Sequence, residues 1–110
     1  MSERIASYRD FWPYYLREHA KPGTRFIHYF GTGLVLLCVV SAIASGEWRV
    51  LLLAPIAGYG LAWVAHFFVE ENRPATFRYP LWSLLSDFRM FFTWLAGAMP
   101  RELTKAGITT

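Results

Sequence analysis

The sequence predicts an all-α integral membrane protein. Its centre is a hairpin of two spanning helices, preceded by an N-terminal amphipathic helix and followed by an interfacial or third spanning helix. Hydrophobic residues make up 55% of the 110 residues and charged residues only 17%, whereas a soluble domain carries about 25% charged residues. Two stretches, 33–45 and 50–69, contain no Asp, Glu, Lys or Arg. The length predicts a single membrane domain over residues 1–110.

The N-terminal segment 1–21 is predicted to be an amphipathic helix that lies at the level of the lipid headgroups. Phe11 and Tyr15 recur at helical spacing, as do Tyr8 and Trp12, and basic residues are interspersed among these aromatic side chains. An apolar face combined with a basic face is typical of helices in the membrane interface. The Pro-Gly pair that follows ends the segment.

The two uncharged stretches define the hairpin, with the first span at residues 24–45 and the second at residues 50–69. Each span provides about the 20 residues that an α-helix needs to cross a membrane. Gly46 opens a short turn between the spans, and Trp48 in this turn suits the membrane interface. Pro55 within the second span is tolerated because membrane helices accommodate proline.

Basic residues predict the orientation of the hairpin. They flank the first span on its N-terminal side and recur in the polar 70–80 loop, whereas the turn between the spans carries only Arg49. The flanking residues are Arg4, Arg9, Arg17, Lys21, Arg25, Arg73 and Arg78. The positive-inside rule therefore predicts that the N-terminus and the 70–80 loop are cytoplasmic. Thr76 in this loop is expected to cap the next helix.

The last apolar segment, 81–99, is predicted to be helical although it contains Asp87 and Arg89. It is either a third span with a buried polar pair or a helix in the membrane interface, and its aromatic residues suit both alternatives. The interfacial alternative is slightly favoured. The tail from Pro100 is predicted to fray, as chain termini commonly do.

The hairpin brings the three histidines of the sequence to one membrane face. His28 lies near the start of the first span and His66 near the end of the second, so antiparallel packing places them at similar depth. His19 precedes a Pro-Gly break that lets the chain fold back. Glu70 follows His66 by four residues and would share its helix face. Imidazoles with a carboxylate suit Fe(II) or Zn, and Asp87 would be a further ligand or would orient a histidine.

A non-catalytic interpretation competes with this metal site. Histidines at helix ends often make only interfacial hydrogen bonds, and the protein would then be a lipid-binding or scaffold protein without metal. The net charge of +3 is too modest to indicate nucleic acid. The sequence also lacks a glycine-rich phosphate loop, a pair of cysteines with zinc spacing and a nucleophile elbow, so nucleophilic hydrolysis has no candidate residues.

Two strings of sequence are distinctive. They are YLREHAKPGTRFIHYFGT at 15–32 and GYGLAWVAHFFVEENRPATFRYPLWSLLSDFRM at 58–90. Together they resemble the short bacterial branch of a membrane family long catalogued as a domain of unknown function. The longer eukaryotic branch of that family includes the 2-hydroxy fatty acid dioxygenase of phytosphingosine breakdown, an enzyme of the endoplasmic reticulum. The resemblance covers about residues 8–97, and its second histidine motif continues through Pro74 and Ala75.

The resemblance implies an Fe(II) enzyme of the bacterial inner membrane that uses O2 to shorten 2-hydroxy fatty acids or related lipids by one carbon. Zn is the other expected metal. The implied metal ligands are His19, His28, His66 and Glu70. Glu70 and Asp87 would be catalytic, and Arg25 or Arg73 would bind the substrate carboxylate. A homo-oligomer is an open alternative, and no nucleic-acid partner is expected.

Overall fold

The computed structural model describes residues 4–73 and 78–108. The expected Thr76 cap and the Pro74-Ala75 pair lie outside these residues. The α-helices within them are α1 (Tyr8–Arg17), α2 (Pro22–Ser45), α3 (Leu53–Val64), α4 (Pro80–Leu95) and α5 (Met99–Lys105). A 3-10 helix, Trp48–Leu52, precedes α3, and a π-helix, Ala65–Glu70, follows it. The described residues contain no strand, and the predicted all-α class is confirmed.

Among the residues that the structure describes, two helical stretches are long and apolar enough to cross a membrane. They are α2, with 24 residues, and the continuous stretch Trp48–Glu70, with 23 residues, which we call the second candidate span. The two pack side by side and are connected through Gly46, which adopts the left-handed conformation with a φ of 74°. Its backbone N–H donates to the carbonyl oxygen of Ala42 and closes the helix.

Small residues allow the two candidate spans to approach closely. A Cβ atom on Gly31 would lie 3.4 Å from the carbonyl oxygen of Ala57, and one on Gly58 would lie 3.0 Å from Val35 Cγ2. Such contacts are typical of helix pairs in membranes, where small residues bring the backbones together. The glycines therefore stabilise the hairpin that the hydropathy pattern predicted.

The outer surface of the hairpin is strongly apolar. Phe30, Ile43, Ile56 and Phe68 are between 64% and 79% exposed. An exposed apolar surface of this extent is unfavourable in water and is expected for helices that contact lipid. α4 differs, because its 16 residues extend over only about 24 Å, less than the roughly 30 Å of the hydrocarbon core. Its length favours the interfacial alternative for this helix.

The aromatic face of α1 is covered by protein. Phe11 is fully buried. Its ring centroid lies 5.2 Å from that of Tyr79, the residue before α4, and 5.5 Å from that of Trp82 on α4. Tyr15 and Leu16 are also buried. Ser7 caps the helix by accepting a hydrogen bond from the backbone of Asp10. The predicted amphipathic pattern is present, but its apolar side packs against other helices.

The prediction of a frayed tail from Pro100 was wrong. Pro100 lies in the first turn of α5, a position that proline favours because its missing N–H would have no partner there. Met99 and Leu103 are buried, and Glu102 accepts a hydrogen bond of 2.9 Å from the Trp12 indole nitrogen. The described part of this tail, residues 100–108, is held because α5 packs back onto α1 and α4.

Candidate metal centre

Three histidine side chains meet with their Nε2 atoms facing one another. The Nε2 atoms of His19 and His28 are 3.1 Å apart, those of His28 and His66 are 3.2 Å apart, and those of His66 and His19 are 2.9 Å apart. All three residues are buried, with no more than 5% of their surface exposed. The structure therefore brings together three of the four residues that were predicted to bind metal.

Each histidine is positioned by a different local structure. His19 lies in the short turn between α1 and α2, and this turn is held by Arg25, whose Nη1 donates to the carbonyl oxygens of His19 and Ala20. His28 lies in the second turn of α2. His66 lies in the π-helix. One turn, one regular α-helix and one π-helix thus each contribute a histidine to the same point.

The π-helix determines the surroundings of His66. It ends at Glu70 and is followed by Glu71, a residue in the left-handed region with a φ of 61°, and the backbone N–H of Asn72 then donates to the carbonyl oxygen of His66. This wider turn carries the Asn72 side chain back to the His66 ring. π-helices are rare and occur frequently at functional sites.

The Nδ1 atoms of the histidines face acceptors. His19 Nδ1 lies 2.7 Å from the carbonyl oxygen of Tyr15, and His66 Nδ1 lies 2.7 Å from Asn72 Oδ1. His28 Nδ1 lies 3.6 Å from Asp87 Oδ1. A neutral imidazole has one N–H donor and one acceptor nitrogen, so the hydrogen-bonded acceptors of His19 and His66 assign the proton to Nδ1 in these two rings and leave their lone pairs on Nε2.

The Nε2 lone pairs of His19 and His66 face each other over 2.9 Å and repel unless a proton or a cation lies among the three rings. Imidazole nitrogens bind transition metals at about 2.1 Å, so neighbouring ligands at right angles are about 3.0 Å apart and tetrahedral ones about 3.4 Å. The observed separations of 2.9 to 3.2 Å are close to the right-angle value. Imidazole donors suit Fe and Zn among the common metals. The described residues therefore fit a metal ion.

Burial keeps the His19 ring neutral. Removal from water, followed by the proximity of His28 and His66, holds the pKa of His19 well below its ordinary value. The hydrogen bond to the carbonyl oxygen of Tyr15 opposes this shift only in part. A neutral imidazole is the form that coordinates metal.

Asp87 lies next to the histidine group and is held by a tyrosine. The Tyr15 hydroxyl donates to Asp87 Oδ1 over 2.5 Å. Burial raises the pKa of Asp87 to about 7, and the hydrogen bond from Tyr15 partly offsets this shift. Asp87 is therefore positioned beyond His28, where its carboxyl group faces the Nδ1 side of that ring.

The structure does not bring Glu70 into the histidine group. Its Oε1 atom accepts hydrogen bonds from the Lys21 backbone N–H at 3.0 Å and from the Thr24 hydroxyl at 2.8 Å. The expected shared face with His66 assumed α-helical spacing, which fails because this segment is a π-helix. The carboxylate instead lies at the N-terminus of α2, where backbone N–H groups favour negative charge.

The two arginines proposed for substrate binding have different surroundings. The Arg25 guanidinium is engaged by the backbone carbonyls of the α1–α2 turn, and Arg73 is exposed at the edge of the described residues.

Sequence reasoning missed Asn72 and assigned Tyr15 only an apolar role. No local signal in the sequence predicts a π-helix. With α-helical spacing, Asn72, six residues after His66, is not expected to contact the His66 ring. Besides its contact with His66, the Asn72 side-chain amide donates to the backbone carbonyl and the carboxylate of Glu18. Its position beyond a polar Glu-Glu pair resembled an ordinary loop.

A cavity of about 310 Å³ begins at the histidine group. His28 and Asp87 are at its polar end, and most of the remaining lining is apolar. These other lining residues are Thr32, Val35, Leu51, Ala54, Pro55, Gly58, Tyr59, Leu84 and Phe88. The cavity thus lies between α2, the second candidate span and α4.

The fold and the site define a helical, membrane-associated protein with a buried three-histidine group. The chain belongs to the Mpo1-like family, described as 2-hydroxy-palmitic acid dioxygenase Mpo1-like, whose family model matches residues 5–99. Comparisons with curated proteins and with solved structures returned no significant match. The family assignment confirms the resemblance noted from the sequence and indicates a dioxygenase-related function.

Proposed function

We propose that this protein is a membrane-embedded, Fe(II)-dependent dioxygenase that acts on 2-hydroxy fatty acids or related lipids. The observation that carries the proposal is the meeting of three Nε2 atoms within 3.2 Å of one another, each on a ring whose Nδ1 faces an acceptor. The family description supports the substrate class and the use of O2. Cleavage of the C1–C2 bond by one O2 gives a fatty acid one carbon shorter, and carbon dioxide and water balance the atoms.

His19, His28 and His66 would hold the iron through Nε2. The carbonyl oxygen of Tyr15 and the side-chain oxygen of Asn72 keep two of these rings in the required tautomer, as second partners of metal-bound histidines do. Bound Fe(II) would supply the one-electron chemistry that lets O2 react with a lipid, while the four electrons that reduce O2 overall would come from the 2-hydroxy acid. The residues themselves contribute orientation and exclude water through their burial.

Asp87 would act as a positioning and proton-accepting group at the polar end of the cavity. Its carboxyl group faces His28 Nδ1 at 3.6 Å and accepts from the Tyr15 hydroxyl. An acceptor at this place orients the His28 ring and lies where the 2-hydroxyl group of a substrate would approach the histidines. Arg25 and Arg73 remain proposed partners of the substrate carboxylate, with Arg25 less free because it holds the α1–α2 turn.

The proposed location is the bacterial inner membrane with a cytoplasmic N-terminus. Lys21 and Arg25 flank the histidine end of the hairpin, whereas Arg49 is the basic residue of the opposite turn. This distribution follows the positive-inside rule. The histidine centre would then lie near the cytoplasmic headgroups, where the polar end of a fatty acid resides.

A zinc enzyme is the second candidate, and the three-imidazole donor set also supports it. Three imidazoles without a carboxylate ligand also form catalytic zinc sites with an open fourth position. Under this alternative the same histidines would serve hydrolytic chemistry, and activity would persist without O2.

Metal analysis tests the proposal. The protein is purified anaerobically in detergent without a polyhistidine tag, and its metals are measured by inductively coupled plasma mass spectrometry. We expect about one iron per chain in the wild type, none in His66→Ala, and an unchanged content in Cys38→Ala, which removes the single thiol. One zinc per chain, with activity in the absence of O2, would favour the second candidate. No metal after anaerobic Fe(II) loading would overturn both and favour a non-catalytic lipid-binding protein.

A further inference from the structure

The cavity beside the histidines extends into the apolar hairpin. On α2 the cavity is lined by Thr32 and Val35, one and two turns beyond His28. On the second candidate span its lining extends from Tyr59 to Leu51, near the bend of the hairpin. Seven residues of helix correspond to about 10 Å. Its volume of about 310 Å³ lies at the lower end of the range of roughly 300 to 1,000 Å³ for ligand sites.

The polarity of the lining changes along this length. The imidazole of His28 and the carboxyl group of Asp87 lie at one end, whereas the opposite end is lined by Leu51, Ala54 and Pro55. A ligand that matches this lining has a polar head and an alkyl chain. The head would lie at the histidine group and the chain would point towards the bend of the hairpin.

Gly58 occupies a particular position in this cavity. A Cβ atom there would lie 3.0 Å from Val35 Cγ2, so even one methyl group would press on the facing wall. Gly60, two residues further along the same helix, is exposed, and a Cβ atom on it would meet nothing within 4 Å. A Cβ atom added at Gly58 would therefore meet the cavity lining, whereas one added at Gly60 would meet open space.

We propose that the cavity binds the alkyl chain of the substrate and that Gly58 is a specificity-determining residue, because a side chain at this position has no space towards Val35 and would have to extend into the cavity that both residues line. This inference rests on the proposed function for the identity of the polar head. A larger residue at position 58 would shorten the space available beyond the histidine end. Chains short enough to end before Gly58 would still bind.

The open side of the cavity suits access from the bilayer. Leu51, before α3, and Leu84, on α4, both line the cavity and are 42% and 43% exposed. α4 packs on α2, and the cavity lies in the space between α4 and the second candidate span. An alkyl chain could therefore move sideways out of the lipid while its carboxylate stays near the headgroups.

Binding measurements on a matched pair of variants test the inference. Dissociation constants for a short-chain and a long-chain 2-hydroxy acid are compared in wild type, Gly58→Leu and Gly60→Leu, with anaerobic protein so that no turnover occurs. We expect Gly58→Leu to weaken long-chain binding at least about tenfold, since a few methylenes in an apolar pocket account for such ratios. Short-chain binding should change less than about twofold, and Gly60→Leu should match the wild type.

A folded Gly58→Leu protein with normal long-chain binding would overturn the inference. If that variant does not fold, a 2-hydroxy acid with a photoreactive diazirine at its far end is bound to the wild type and cross-linked. Attachment at 51–55 is expected, and attachment confined to the outer face around Phe30 would contradict the inference.

The result is separable from the outcome for the proposed function. A protein that holds iron and turns over substrate, but without a chain-length effect at Gly58, would lose only the cavity inference. A protein without metal or activity that still shows the Gly58 effect would retain the cavity and lose the proposed function.

Discussion

The two ends of the hairpin are built from the same pair of helices but differ in almost every interaction. At the histidine end, Lys21 Nζ donates to the carbonyl oxygen of Val69 at 2.8 Å, and Glu70 binds the Thr24 hydroxyl. At the bend, Glu47 and Arg49 form an ion pair of 3.3 Å in which both side chains are more than half exposed. Exposed pairs of this kind contribute about 0 to 1 kcal/mol.

The difference separates two tasks within one small protein. The bend end is suited to contact with lipid, because its exterior is apolar and a glycine closes the turn between the spans. The histidine end carries additional layers, because α1, α4 and α5 cover it and bury the polar groups of the site. If this division is correct, substitutions at the histidine end will affect metal and activity, and equivalent substitutions at the bend will not.

The largest effect is expected from removing a histidine. His28→Ala should lose its metal and reduce activity at least about 100-fold, because the two remaining imidazoles leave the ion incompletely coordinated. Trp48→Ala at the bend should keep both properties, since Trp48 is 66% exposed and distant from the site. Metal content and O2 consumption with a 2-hydroxy fatty acid check this. Equal losses in both variants would break the comparison between the two ends.

A smaller effect is expected at Asn72. Asn72→Leu removes the acceptor beside His66 Nδ1 and should weaken metal affinity about 10- to 100-fold, as loss of such partners commonly does. Asn72→Asp retains an acceptor oxygen and should retain more of the affinity. Competition with a chelator measures both. Affinity equal to the wild type in Asn72→Leu would show that the π-helix does not orient the ligand.

Sequence reasoning predicted much of this arrangement for physical reasons. Uncharged stretches of spanning length define a hairpin, and a hairpin places His28 and His66 at one end of it. What failed was local geometry. Glu70 was assigned to the site by α-helical spacing, whereas the π-helix placed Asn72 there instead. The packing of α5 was also missed, because a short polar helix has too little periodicity to reveal that Leu103 is buried.

Tyr15→Phe is expected to affect stability more than metal binding. The hydroxyl is the described donor to Asp87, and loss of a hydrogen bond to a buried carboxyl group costs about 1 to 3 kcal/mol of unfolding free energy. Tyr8→Phe removes a neutral hydrogen bond to Ser86 and should cost less. Thermal unfolding in detergent compares the two. A larger loss of unfolding free energy in Tyr8→Phe than in Tyr15→Phe would contradict the claim that the hydrogen bond to the Asp87 carboxyl group is the stronger of the two.

The smallest effect concerns the link between α5 and α1. The Trp12 indole N–H holds the pKa of Glu102 below its ordinary value, with Lys105 and Arg89 adding to the shift. The ionised Glu102 therefore stabilises the fold above the unfolded pKa of about 4.5, and this contribution is lost as pH falls through the lower folded pKa. Glu102→Gln should be slightly less stable than wild type at neutral pH, with the difference disappearing in acid. A difference independent of pH would contradict this account.

X-ray absorption spectroscopy at the iron edge tests the central claim most directly, because it counts the imidazole ligands of the bound ion. Protein loaded anaerobically with Fe(II) should show the scattering of three imidazole rings, matching the three converging histidines, and His19→Ala should show one ring fewer or no bound iron. Iron coordinated by oxygen alone, or a wild-type spectrum unchanged in His19→Ala, would contradict a metal centre built from these residues.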